Sequence, residues 1–280
     1  MKKRIAFGIT LVVVGLILLT AAVVAQGETP VSRGGLLYDK WWKVTGAEEP
    51  ATDQPLWATQ STNSRSGADT WRCKECHGWD YQGKDGAYGS GSHFTGFPSV
   101  LAAQGKTAEE LAAALQGATN ADHDFSSVLD EASIADLAAF LKEGPTDLRA
   151  YVDYDTKTAI NADLAQGESN FASVCAGCHG SDGTALNWGD EEEPEYVGTL
   201  ANDNPWEFLH KAQFGHPGSA MPSTIDMGWS LQDAADVLAF AQTLPTGAQA
   251  AVILPETGGS ALLSPVVLLL SGLLVLVGGL

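Results

Sequence analysis

The four cysteines of this 280-residue chain stand in two copies of one pattern, Cys73-Lys74-Glu75-Cys76-His77 and Cys175-Ala176-Gly177-Cys178-His179. Nothing else in the sequence constrains the fold as tightly. Two thiols one helical turn apart can add to the two vinyl groups of a haem, and the histidine after them presents an imidazole to the iron from the same side. A lone C-x-x-C also reads as a redox dithiol or half of a zinc site, but two complete copies that use every cysteine argue against both. The pattern therefore predicts two covalently bound haem c groups, held by Cys73, Cys76, Cys175 and Cys178, with His77 and His179 as iron ligands. No cysteine is left for a disulfide or a thiolate ligand.

The ends of the chain speak to location. Lys2, Lys3 and Arg4 precede an apolar run over residues 5–24, with Val23-Val24-Ala25 as a cleavage site, so residues 1–25 read as an export signal. The run is long, and an uncleaved membrane anchor is the competing reading; both put the remainder outside the cytoplasm. Residues 261–280 carry no charge and, as a helix, reach across about 30 Å of hydrocarbon, which predicts a C-terminal membrane anchor. Within the preceding linker, 248–260, Leu254-Pro255-Glu256-Thr257-Gly258 resembles the LPxTG signal that sortases cleave, although the basic tail of that pattern is missing. Wall sorting and a simple membrane tail both tether the protein to the outer face.

Net charge is −19, which makes nucleic acid and anionic lipid poor partners. The acid is unevenly placed. Residues 158–255 hold one basic residue, Lys211, against 13 acidic ones, whereas residues 26–157 hold 11 against 20. The second part should attract a basic redox protein; a purely solubilising surface is the plainer account. Two domains fit the length, residues 26–145 and 161–247, joined after Gly144-Pro145 by the polar linker 146–160.

The motifs lie 102 residues apart, and the segment after the first is repeated in outline after the second. Thr107 and Glu110 form a capping-box pair for a helix over residues 111–116 that stops at Gly117; Asn204-Pro205 opens a helix through Trp206, Phe208 and Leu209 that stops at Gly215. Six residues past each glycine stand His123 and Met221, which the repeat makes the two sixth ligands. His93 competes for the first iron, as does an open position, and a solvated surface histidine is the plain reading of His123. Met227 and His216 compete with Met221. Ser133 with Asp136, and Ser230 with Asp233, then read as N-caps of closing helices.

Each unit resembles a class I cytochrome c, an all-α fold in which an N-terminal helix crosses a C-terminal helix beside the haem and a Met, often before Pro, is the distal ligand. Ala220-Met221-Pro222 matches that pattern, and Gly34-x-x-x-Tyr38 and Gly167-x-x-x-Phe171 look like the helix crossing. The resemblance implies that Phe97-Pro98 sets a backbone carbonyl near His77, a feature not matched by Tyr196-Val197 in the second unit. It also makes residues 46–70 an insertion. The first unit departs from the family in having no methionine between Met1 and Met221, and His123 replaces it. Trp71, Trp79, Tyr81, Trp188, Trp206 and Trp229 are expected to wall the haems, and Arg65 and Arg72 to pair with haem propionates or to sit at the surface.

Iron with two strong axial ligands has no vacant site for substrate, so the expected activity is single-electron transfer between redox partners, with no catalytic residue assigned. Membership of a larger respiratory complex fits equally. The rival is a dihaem oxidoreductase (a peroxidase, nitrite reductase or sulfur-compound dehydrogenase) with the first haem catalytic.

Overall fold

The computed structural model describes residues 28–247. Residues 1–25, read from sequence as an export signal, the LPETG stretch and residues 261–280, read as a membrane anchor, lie outside the described residues. Among the described residues no helix is long and apolar enough to cross a membrane, and the only strand-like pairings are the isolated bridges Gln116 with Asp124 and Val152 with Ala159. The α-helices in chain order are α1 (Pro30–Thr45), α2 (Cys73–His77), α3 (Ala108–Leu115), α4 (Glu131–Glu143), α5 (Leu164–Asn170), α6 (Ala176–His179), α7 (Val197–Asp203), α8 (Pro205–Phe214) and α9 (Leu231–Ala241).

Two crossed helix pairs organise the chain, and glycine permits both. Thr29 starts α1 by accepting the Ser32 N–H, with Pro30 at the position where a missing N–H is harmless. The helix then buries Leu37, Tyr38, Trp41 and Trp42. Each such side chain contributes about 1.5–3 kcal/mol on leaving water. α1 crosses α4 so closely that a Cβ on Gly34 would lie 2.2 Å from the Asp136 carbonyl oxygen. In the C-terminal half α5 crosses α9 in the same way, with 1.9 Å between a Cβ on Gly167 and the Asp236 oxygen. Four residues on, Tyr38 meets Phe140 with ring centroids 5.3 Å apart, and Phe171 meets Phe240 at 5.4 Å.

Helix ends obey the local rules with one correction. Thr107 and Glu110 cap α3 reciprocally, Ser230 and Asp233 cap α9, and Asn204 caps α8 through the Glu207 N–H. Ser133 is not an N-cap. Asp130 takes that role, accepting the Ser133 N–H at 2.8 Å, so α4 begins at Glu131. Asp130 and Ser133 are both good caps three residues apart, and the upstream one adds a turn of helix. Ser133 is then fully buried and receives Arg33, which also pairs with Asp136.

The segment 46–70 folds into two 3₁₀ turns, Pro55–Thr59 and Gly67–Trp71. Trp57 anchors it, with its indole N–H on the Arg65 carbonyl at 2.8 Å. Residues 146–160, expected as a linker, are packed. Leu148 and Val152 are each 1% exposed and share a buried cluster with Trp206 and Leu209. Isolated apolar residues in a polar stretch carry no periodicity, so this packing leaves no trace in the sequence.

Candidate haem sites

Both cysteine motifs end in the same backbone turn. α2 stops at Gly78 (φ 77°, ψ 158°) and α6 at Gly180 (φ 79°, ψ 159°), a left-handed φ that glycine alone adopts freely. A π-helical turn, Phe171–Cys175, links α5 to α6 and sets Cys175 at its end; such turns often mark functional positions. Desolvation pushes the Cys73 thiol up to about 12 and the Cys175 thiol to about 11.

At the first site the His77 Nδ1 lies 2.8 Å from the Pro98 carbonyl oxygen. A carbonyl only accepts, so Nδ1 carries the proton and Nε2 is left with its lone pair. Desolvation, partly opposed by that carbonyl, draws the imidazole down to about 4, so it is neutral at pH 7, the form that binds metal. The loop that brings Pro98 there is pinned by Lys84 N–H to the Phe97 carbonyl (2.8 Å) and Val100 N–H to the Tyr81 carbonyl (2.9 Å).

His123 faces His77. It ends a 3₁₀ turn, Ala121–His123, capped by Asn120, and its Nδ1 is 3.3 Å from the Ala114 carbonyl, which also leaves Nε2 free. The two ring centroids are 6.4 Å apart with planes at 81°. An imidazole nitrogen sits about 2 Å from a first-row metal ion, so two imidazoles flanking one iron have centroids about 6 Å apart; the pair fits. Phe125 packs on His123 at 5.1 Å and Trp71 on Phe125 at 5.8 Å, giving the apolar wall that a haem needs. His93 points elsewhere: it stacks on Tyr88 at 4.5 Å, with Nδ1 3.2 Å from Arg65.

Residues 46–70 support this arrangement. Buried Gln54 donates its amide N–H to the Asp122 carbonyl at 2.6 Å, next to His123. Arg65 reaches Glu75, a fully buried carboxylate between the two cysteines that also pairs with Lys74. Arg65 and Arg72 thus have protein partners: Arg72 pairs with Asp39 and donates Nε–H to its backbone carbonyl at 2.9 Å.

The second site is more open. Cys178 is exposed and Cys175 half-buried. The His179 ring meets Trp188 edge-on at 5.8 Å, and its Nδ1 is buried without a partner, in line with the missing Phe-Pro carbonyl. Desolvation lowers its pKa as well. Leu186 and Trp188 remain 47% and 44% exposed beside the His179 carbonyl, which accepts the Ala185 N–H. Large apolar side chains flanking a ligand histidine form a surface that a haem plate would cover. Met221 is half-buried on the loop after α8, its N–H on the Ser219 hydroxyl at 3.1 Å. Met227 is 50% exposed, and the His216 Nδ1 lies 2.9 Å from the Lys211 ammonium.

The expected aromatic walls divide. Trp188 lies beside His179 and Trp71 stands behind Phe125, one ring removed from His123, whereas Trp79 and Tyr81 are buried where the two halves meet, next to His210. No sequence signal singles out His210, whose helix reads as ordinary amphipathic core.

Residues 162–240, which include Cys175, Cys178, His179 and Met221, match the family model described as cytochrome c oxidase, cbb3-type, subunit III. No curated protein and no solved structure matches the chain.

Proposed function

We propose that the whole chain is a tandem dihaem cytochrome, a reading supported by the match of residues 162–240 to a c-type cytochrome family, which implies covalently bound haem c and a haem-based electron-transfer role. It passes single electrons between redox proteins on the outer face of the membrane. Residues 26–145 form the first unit, with Cys73 and Cys76 holding the haem and His77 and His123 on its iron. Residues 161–247 form the second, with Cys175, Cys178, His179 and Met221 in the same roles.

One observation carries this reading: the paired imidazoles of His77 and His123, with ring centroids 6.4 Å apart, in the half that lies outside the family match. Bound haem supplies reversible one-electron chemistry at its iron. At the first site His77 and His123 would hold the iron, each imidazole being fixed by a backbone carbonyl on its far nitrogen, with Phe125 and Trp71 as an apolar wall; at the second, His179 and Met221 would hold it. A site filled on both faces exchanges electrons and does not bind substrate, which favours a carrier over a peroxidase-like enzyme. With haem bound, Met221 would raise the potential of the second site and a second imidazole would not raise that of the first, so electrons would run from the first site to the second. The exposed acids Asp190, Glu191, Glu192, Glu193 and Glu195, close after Trp188 in sequence, suit a basic acceptor at the second haem.

Haem content and a redox titration of the purified full chain test the proposal. Two haems per chain and two resolved potentials, with low-spin ferric spectra, are expected. One haem per chain, or a high-spin ferric component in the untreated protein, would overturn it.

A further inference from the structure

α8 belongs to the C-terminal half by sequence, yet its last turns are built into the N-terminal half. Phe214 is 1% exposed within the buried cluster of Leu37, Tyr38, Trp41 and Phe140, while Trp79 and Tyr88 from the N-terminal half lie in the cluster of Trp206, Phe208 and Leu209. The two cores exchange residues. Gly35 makes the exchange sterically feasible, since a Cβ there would fall 2.4 Å from the Phe214 ring.

His210 closes the junction. It is 1% exposed, with Tyr81 Oη 2.8 Å from Nδ1 and the Gly35 carbonyl oxygen 3.0 Å from Nε2. The carbonyl can only accept, so Nε2–H donates to Gly35 and Nδ1 accepts from the Tyr81 hydroxyl. Both ring nitrogens are satisfied, one by each of two separate segments of the N-terminal half. Desolvation holds this imidazole at about 3, so the clasp keeps one protonation state across neutral pH. Next to it, the Lys211 ammonium reaches the buried Asp39 carboxylate at 2.8 Å. The strap 146–160 adds ties to both sides: Gln82 donates to Asp147 at 3.0 Å, and Lys157 to the Asp203 carbonyl at 2.8 Å. Cys175 of the second motif packs on the same buried cluster as Trp79, two residues beyond His77.

We infer that α8 locks the two cysteine-bearing halves into one rigid body, with His210 as the positioning residue that fixes the separation of the two haems, so that transfer between them needs no domain motion. The inference rests on the dihaem reading for its electron-transfer clause only. Tunnelling through a fixed packed medium has one distance and one rate, whereas two loosely tethered units would wait on diffusive reorientation.

The experiment uses the haem-loaded full chain. Flash reduction of the oxidised protein by a photoexcited flavin, followed by re-equilibration between haems, should give a single rate that does not change as sucrose raises viscosity. In His210→Leu the rate should fall at least several-fold and acquire a viscosity dependence, and His210→Gln, whose amide can both donate and accept, should recover part of it. A wild-type rate that falls in proportion to viscosity, or an unaltered rate in His210→Leu, overturns the inference. Guanidinium unfolding and limited proteolysis of the wild type decide the clasp independently of haem number. One unfolding transition seen alike by tryptophan fluorescence and haem absorbance supports it; two separated transitions, or cleavage within 146–160 that releases two stable halves, overturn it. A single haem per chain would remove the electron-transfer clause together with the dihaem reading, while the unfolding result would still stand for or against the clasp.

Discussion

The two cysteine motifs share a backbone turn to within a few degrees, yet the histidines they deliver live differently. His77 is held by the Pro98 carbonyl and lies 6.4 Å from a second imidazole, whose neighbour Asp122 is gripped by Gln54 of residues 46–70. His179 has a buried nitrogen without a partner and stands against a half-exposed tryptophan. The motif therefore fixes attachment and nothing more. Potential, solvent access and ligand strength are set by whatever the surrounding chain brings to the far nitrogen and the opposite face. One half braces its site with residues 46–70, and the other keeps its site close to the surface.

Removing the facing imidazole is the harshest test of that contrast. In His123→Ala the first site should turn high-spin and bind carbon monoxide rapidly in the ferrous state, while the second keeps its wild-type absorption. If both sites stay low-spin and closed to carbon monoxide, His123 is not the ligand. A buried pair linking the halves comes next. Burial alone would raise the Asp39 carboxyl, but Lys211 and Arg72 outweigh it and hold the group well below its ordinary value. A depressed native pKa gives stability that is full above the unfolded pKa near 3.8 and fades as pH falls toward the native value. The stability advantage of wild type over Asp39→Asn should therefore be constant above about pH 5 and shrink below pH 4, by up to about 1.4 kcal/mol per pH unit, in denaturant titrations. An advantage independent of pH would sink this account.

Smaller effects test how alike the halves are. Gly34→Ala and Gly167→Ala each force a methyl onto a backbone oxygen and should each cost about 1–3 kcal/mol in urea denaturation. A large cost in one and none in the other would show that the two crossings are not equivalent. Cap replacements are milder still. Asp130→Ala and Ser230→Ala should each cost about 1 kcal/mol, and Ser133→Ala should act through its buried bond to Arg33 and not through helix initiation. Thermal melts of the three variants separate these outcomes.

Much of the fold is legible from residues alone. The stop glycines, the Thr107–Glu110 and Ser230–Asp233 boxes and the glycines at the crossings are local or periodic signals, and each stands where its own chemistry requires. The Pro98 carbonyl is implied by resemblance, and it is there. The junction is not legible. Tyr81 and His210 are 129 positions apart, Gly35 and His210 175 apart, and no spacing rule connects them. Residues 146–160 read as a tether because two buried side chains among polar ones leave no pattern. The helix start at Asp130 is ambiguous in sequence because two equally good caps stand one turn apart.

Gln54 is not one of the candidate ligands, yet its amide grips the chain one residue before His123. Under the relay proposed above, selectivity against oxygen, peroxide and other small molecules would be enforced from outside the pocket, by a brace whose own sequence advertises no redox chemistry. Shorten the segment that carries that brace and the protein would drift from conductor toward reactive centre without any change in its cofactor-bearing motif.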